Sequence, residues 1–404
     1  MAEKPNIDSN LKYQRLETAL LHGKPDRTPI LLSTDDSFQA LAAGWDYYDW
    51  YYRPFDEVLD ALFAFHKRFP LQDGLSPSFN RPMDPGKLLV NKEGRRIVID
   101  AKKGREWQVP KEMHIWSGPD FKDVAEEKSE KEVTIPSLEK IQEEMKQLTE
   151  ESVSKPALRT KLVREKIGPD IFYAECAGMP FPSTVWRLGD MERAFMVFAE
   201  DRKLFRTALE LEAEKVIRRI PFMAKAGANA LRFNAYFEGA DMIAPSDWHE
   251  MCFPYYRRIA AECKKAGVFS MVWFLNDCLP LAKGLADAGI DCLCVEQPRR
   301  GYSSDLSEFR KIVGNNITLT GWTGEQETIC DDRPAMEKRI NEQYDAAGKD
   351  GNFIFSTTYL TAETKPETIE YFCKKAAEIQ TGSDRRRGRA AITRNAEVRL
   401  TADS

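Results

Sequence analysis

The feature that most constrains this chain is a repeated exchange between two kinds of segment. Short apolar, β-rich runs alternate with longer amphipathic stretches, the pattern of a parallel sheet joined by helical crossovers. Eight runs qualify as strands: 28–33 (TPILLS), 72–79 (QDGLSPSF), 171–176 (IFYAEC), 229–234 (NALRFN), 269–274 (FSMVWF), 292–296 (CLCVE), 317–321 (ITLTG) and 352–357 (NFIFST). Helix-like stretches lie near 54–68, 137–152, 190–225, 246–266, 279–288, 304–313, 334–347 and 366–380. Gly227, Gly267 and Gly289 fall just ahead of a strand, as a helix C-cap and a short αβ loop require. Eight strands with eight crossovers is the count of a closed (β/α)8 TIM-type barrel. A doubly wound sheet could hold as many, but no GxGxxG turn follows the first strand. The expected class is α/β, with residues 1–380 as one barrel domain.

One segment departs from the repeat. Residues 86–120 read as a small β insertion, with two alternating runs around a Lys-Glu-Gly turn. The stretch 121–152 is charged and helix-prone. The end of the chain, 381–404 with DRRRGR at 384–389, has no helical or strand period and reads as a polar, basic, mobile tail.

Composition then excludes whole classes. Lysine and arginine total 59 against 64 acidic residues, interspersed for a net charge of −5, so no basic footprint for nucleic acid covers the body. No apolar run reaches the roughly 18 residues a membrane helix needs. The opening MAEKPNIDSN carries no apolar leader core. Eight cysteines spread through 404 residues suit a reducing compartment better than a disulfide framework. The expected location is the cytoplasm.

In such a barrel the reactive groups stand at the C-terminal ends of the strands and in the loops after them. That places Asp35 and Asp36 after the first strand, Asn80 after the second and Trp186 beyond the third. The fourth supplies Arg232, Asn234, Tyr236, Glu238 and Asp241. The fifth supplies Trp273, Asn276, Asp277 and Cys278; Glu296, Trp322 and Tyr359 follow the sixth, seventh and eighth. An aromatic mouth with a few polar groups suits a small, apolar or aromatic ligand. Trp273 and Trp322 could instead plug the core, and Asp35-Asp36 could simply cap a helix. Glu296 ends an otherwise apolar strand, where a carboxyl is either desolvated or paired with a cation. Glu296, Asp277 and Asn276 are the catalytic candidates. Cys292 and Cys294 face one way inside the barrel wall and read as packing. None of the four histidines falls at a strand end, which leaves a hydrolytic triad without its base.

Three runs carry a resemblance. RLETALLHGKPDRTPI (15–30), GADMIAPSDWHEMCFPYYRRIAAECKKAGVFSMVWF (239–274) and NFIFSTTYLTAETKPETIEYF (352–372) resemble the uroporphyrinogen decarboxylase superfamily, in its methyltransferase-like branch. The resemblance spans most of residues 10–380 and implies a (β/α)8 barrel. It also implies what is missing. The decarboxylases' catalytic Asp, Tyr and His correspond to Asn80, Trp186 and Tyr359 here, which cannot handle protons in the same way. The zinc ligands of the thiol methyltransferases, a His-x-Cys and a later Cys, correspond to Trp273, Leu275 and Tyr359.

What remains resembles the methyltransferases that move a methyl group from a methoxylated aromatic or a methylamine to a corrinoid. The partners implied are a small aromatic substrate and a corrinoid protein carrying cobalamin; homodimers are frequent in the family. A zinc site of hard ligands would draw on Glu238, Asp241, Asp277, Cys278 and Glu296. Two other readings stay open. One is a corrinoid-free lyase or decarboxylase of an aromatic acid held by Arg232 and Arg187. The other is a catalytically silent binding barrel.

Overall fold

The computed structural model describes residues 7–79, 83–84, 86–100, 102, 104–108, 135–299 and 301–379. Asn80, residues 109–134 and the basic tail lie outside these residues. All eight strand runs sit in the barrel wall, and the chain adds three more strands as an insertion. In chain order the strands are β1 (Gly74–Leu75), β2 (Leu88–Lys92), β3 (Arg95–Asp100), β4 (Arg105–Gln108), β5 (Phe172–Cys176), β6 (Ala230–Ala235), β7 (Phe269–Phe274), β8 (Cys292–Val295), β9 (Thr318–Thr320) and β10 (Phe353–Ile354). Seven run parallel in the order β1-β5-β6-β7-β8-β9-β10.

The eighth stave is the segment from Pro29 to Asp35. On one side Leu31 N–H donates to the Phe355 carbonyl and Phe355 N–H to that of Pro29, both at 2.9 Å. On the other side Asp73 N–H donates to the Ile30 carbonyl at 2.8 Å, and Ile30 N–H donates back to Asp73 Oδ2, also at 2.8 Å. The ring closes there. Both weak staves carry a proline, Pro29 and Pro77, which removes a ladder donor and shortens the regular pairing.

Asp73 is the clamp of this closure. Its side chain is fully buried, and its Oδ1 accepts from Arg27 at 2.7 Å and from Arg15 at 3.1 Å. Beneath it, helix Ile7–Leu20 stops the N-terminal end of the barrel with Leu16, Ala19 and Leu20. Thr318 Oγ1 donates to the Ala19 carbonyl at 2.7 Å. A second, larger apolar layer lies between the strands and the outer helices.

The insertion is a three-stranded antiparallel sheet in the order β2-β3-β4, where two runs are expected from the sequence. Gly104, at φ 63°, makes the extra turn. Between β2 and β3, Glu93 (φ 50°) and Gly94 (φ 73°) form a two-residue loop of the type I′ kind, whose left-handed pair matches strand twist. Val98 and the partly buried Leu89 and Trp107 pack on Tyr48 and Tyr52 of helix Tyr47–Tyr52.

Several loops of the expected map are helical, among them Asp36–Ala42, Pro180–Arg187 and Glu325–Ile329. The single stretch 190–225 divides at Asp201, whose carboxylate accepts from Leu204 N–H at 2.9 Å and caps a new helix, Arg202–Lys225. Asp73→Ala is expected to cost about 3–5 kcal/mol, because among the described residues it takes the only carboxylate from the partly buried Arg27, leaves Arg15 with Asp26 alone, and frees the buried Ile30 amide. Urea unfolding of variant and wild type measures it; a loss below about 1 kcal/mol would mean the ring closes without the clamp.

Candidate active site

The C-terminal ends of the strands open into a cleft of about 700 Å³. Cys176, Asn234, Trp273 and Glu296 reach it from β5, β6, β7 and the end of β8; Tyr236 and Tyr359 come from the following loops. Strand register explains the grouping, pairing Asn234 with Trp273, Trp273 with Cys294 and Cys294 with Thr320. Arg232 starts one step lower, beside Cys176 and Met271.

One wall is aromatic. The Trp273 and Tyr359 rings lie 5.0 Å apart at an interplanar angle of 37°. Tyr359 and Ser78 share a hydrogen bond between their hydroxyls at 2.7 Å, and burial keeps the phenol protonated by pushing its pKa up. Beside Trp273 stands a carboxyl. Glu296 is 2% exposed; desolvation raises its pKa to about 7, against the smaller pull of Arg299. Gln297 N–H donates to its Oε1 at 3.2 Å, while Oε2 has no partner among the described residues. Arg299 itself is tied to Glu325 across the rim.

Two groups of the cleft carry no signal in the sequence. Arg159 lies in a run of mixed charges, yet it lines the cleft and donates to the fully buried Glu175 at 3.0 Å. Glu175 also accepts from the Tyr173 hydroxyl and from Cys176 N–H. Glu325, Thr328 and Ile329 come from a five-residue helix too short to read from periodicity.

Other expected residues stand elsewhere. Asn276 and Asp277 do not line the cleft; they latch the β6 loop to the β7 loop. Asp277 N–H donates to Asp241 Oδ1 at 3.0 Å, and Asn276 Oδ1 accepts from Phe237 N–H at 2.9 Å. Gly239 makes that crossing possible, since a Cβ there would lie 2.3 Å from the Asn276 Cβ. Trp322 is buried behind the wall, donating to the Ser304 carbonyl at 3.2 Å with Arg339 over its ring at 4.3 Å. Trp186 is 57% exposed on the rim, edge-on to Phe237 at 5.6 Å. Asp35 caps helix Asp36–Ala42 through Phe38 N–H at 2.9 Å. The buried Asp36 accepts a long bond from Tyr47. Arg187 is taken by Glu212 and Glu144, which removes it as a substrate anchor.

The five expected zinc ligands do not form a site. Among the described residues no three His, Cys, Asp or Glu side chains gather at metal distance. Glu238 and Cys278 are buried, and desolvation raises the Glu238 carboxyl to about 8 and pushes the Cys278 thiol up, so both hold their protons. Asp241 is spent on the loop latch. No step below passes through a metal.

The profile of the uroporphyrinogen decarboxylase (URO-D) family matches residues 123–379. The chain belongs to that family. A uroporphyrinogen decarboxylase from Trichodesmium erythraeum (strain IMS101) is 24% identical over 187 residues, which is 46% of this chain and 50% of that protein. The chain thus aligns with about half the length of this curated relative. A solved methyltransferase from Methanosarcina mazei superposes with a TM-score of 0.63 at 16% identity, covering 91% of this chain and 99% of that one. That likeness is one of fold, and it agrees with the barrel. No described helix is long and apolar enough to cross a membrane.

Glu238 supplies a test of the buried electrostatics. Its carboxyl rises from about 4.5 unfolded to about 8 folded, so its contribution to stability is full below about 4.5 and fades as pH climbs through 8. The melting temperature should therefore fall between pH 6 and 9, and Glu238→Gln should flatten that fall. Parallel pH profiles of the two proteins by calorimetry would contradict the assignment.

Proposed function

We propose that this enzyme takes a methyl group from a small methoxylated aromatic and passes it to a corrinoid, cobalamin, carried by a partner protein. The observation that carries the reading is Glu296: a buried carboxyl with a pKa raised to about 7 by desolvation, lining the same cleft as the rings of Trp273 and Tyr359. An aryl methyl ether resists cleavage because a bare phenolate leaves poorly. A protonated carboxyl beside the ether oxygen removes that obstacle.

The substrate ring stacks against Trp273 and Tyr359, with its ether oxygen toward Glu296. As the methyl carbon–oxygen bond breaks, the electron pair stays on oxygen, and the Glu296 proton moves to it to give the phenol. Glu296 is left as a carboxylate and regains its proton from solvent. The methyl group passes, without that pair, to the reduced corrinoid, which would supply both electrons of the new bond, on the open, C-terminal face where the exposed Trp186 stands on the rim. The corrinoid is a second substrate here. No histidine lines the cleft among the described residues. A quaternary methylamine suits the site less well, because Arg232 lies 5.6 Å from the Trp273 ring and repels a cation.

A corrinoid-free decarboxylase of an aromatic acid is a second reading, favoured by the same Arg232. Carbon dioxide release without an acceptor separates the two.

The test is anaerobic: the protein, cob(I)alamin or a corrinoid protein, and a panel of methoxyarenes and methylamines, followed by absorbance of the methylated corrinoid. Glu296→Gln is expected to lower the rate about 10²- to 10⁴-fold with folding intact. The wild-type rate should fall about tenfold per pH unit once pH passes 7. Wild-type turnover in the variant would remove Glu296 from the mechanism.

A further inference from the structure

Inside the barrel, two residues before Asn234 on β6, stands a cation with no part in the methyl-transfer step. Arg232 is 4% exposed. Its Nη1 donates to Ser76 Oγ at 3.0 Å, while Nε and Nη2 are buried with no partner among the described residues. No carboxylate of the described residues forms an ion pair with it. A buried guanidinium with two unused donors is costly to keep unless something anionic meets it.

The space beside it has a definite size and chemistry. A cavity of about 20 Å³ lies inside the barrel, lined by Arg232, Ser76, Thr320, Cys294 and Trp273 among others. One water needs roughly 10–15 Å³ by the same measure, so the cavity takes a group of two or three heavy atoms and no ring. Ser76 accepts from Arg232 and keeps its own proton to donate. Trp273 lines this cavity and also the large cleft above it. A ring resting on Trp273 with a short anionic head is the shape that would span the two.

We propose that Arg232 and Ser76 form a carboxylate subsite, and that the substrate is an aromatic acid whose ring lies on Trp273 and Tyr359 while its carboxylate points into the barrel. This deepens the reading of the cleft as the seat of an aromatic substrate and rests on it. Arg232 is a binding residue in this arrangement, remote from the ether oxygen. A rival partner exists in Cys294, a thiol that also faces this cavity.

The experiment is a binding measurement that needs no methyl acceptor. Calorimetry or tryptophan quenching at pH 7 compares 4-methoxybenzoate with 4-methoxybenzamide, its neutral isostere, on wild-type protein. Charge-assisted hydrogen bonds predict that the acid binds about 10- to 100-fold more tightly. Arg232→Gln should erase that preference and leave amide binding unchanged, with circular dichroism checking the fold; should the variant not fold, the wild-type ratio stands as the test. Equal affinities in wild type, no binding of either at millimolar concentration, or a preference that survives in Arg232→Gln would overturn the subsite. A preference seen only in Cys294→Ala would show that the thiolate already neutralises Arg232, and would overturn it too. Acid-selective binding without methyl transfer to any corrinoid would keep the subsite and remove the transferase reading. Transfer from neutral methoxyarenes without acid preference would do the reverse.

Discussion

The barrel depends on one buried carboxylate. Asp73 accepts the Ile30 amide, returns its own amide to the Ile30 carbonyl, and holds Arg15 and Arg27 on the remaining oxygen. Two proline-broken staves meet at this point, where the ladder alone would be thinnest. A local side-chain clamp replaces the missing backbone pairing, so the weakest seam of the ring becomes charged and directional. Everything at the mouth inherits its position from that closure, since Tyr359 and Ser78 follow the two staves that flank it and meet each other at 2.7 Å.

The two unusual carboxyls of the barrel show how environment sorts identical chemistry. Glu238 and Glu296 both lose water, and both are raised by that loss. Glu238 faces Cys252 and Tyr256, whose own protons are held more firmly still by burial. It has nothing to exchange with and serves packing. Glu296 faces the cleft, near Arg299 and within reach of a ligand, so the same desolvation there yields a proton that can be given up near neutral pH.

The strands were legible because a buried parallel stave needs an apolar run whatever it touches, and all eight runs lie in the wall. The strand-end rule then placed Asn234, Tyr236, Trp273, Glu296 and Tyr359 on the cleft, since register alone decides where a strand stops. Residues in the loops were a different matter. Asn276 and Asp277 look like catalytic groups in sequence, but a glycine crossing at Gly239 turns them into a latch. Trp322 follows its strand by only two residues, yet the chain turns outward there and buries the indole behind the wall. Arg159 gave no sign at all, because its partner Glu175 lies on a strand whose neighbour only folding reveals.

Helix Ile7–Leu20 stoppers the lower end of the barrel with Leu16, Ala19 and Leu20. Among the described residues the interior of the barrel is therefore closed below and open at the C-terminal face. A molecule seated on the floor is trapped by whatever sits above it, and the last to arrive must be the first to depart. Traffic through such a chamber is ordered by its shape, before any difference in affinity between the two visitors is counted.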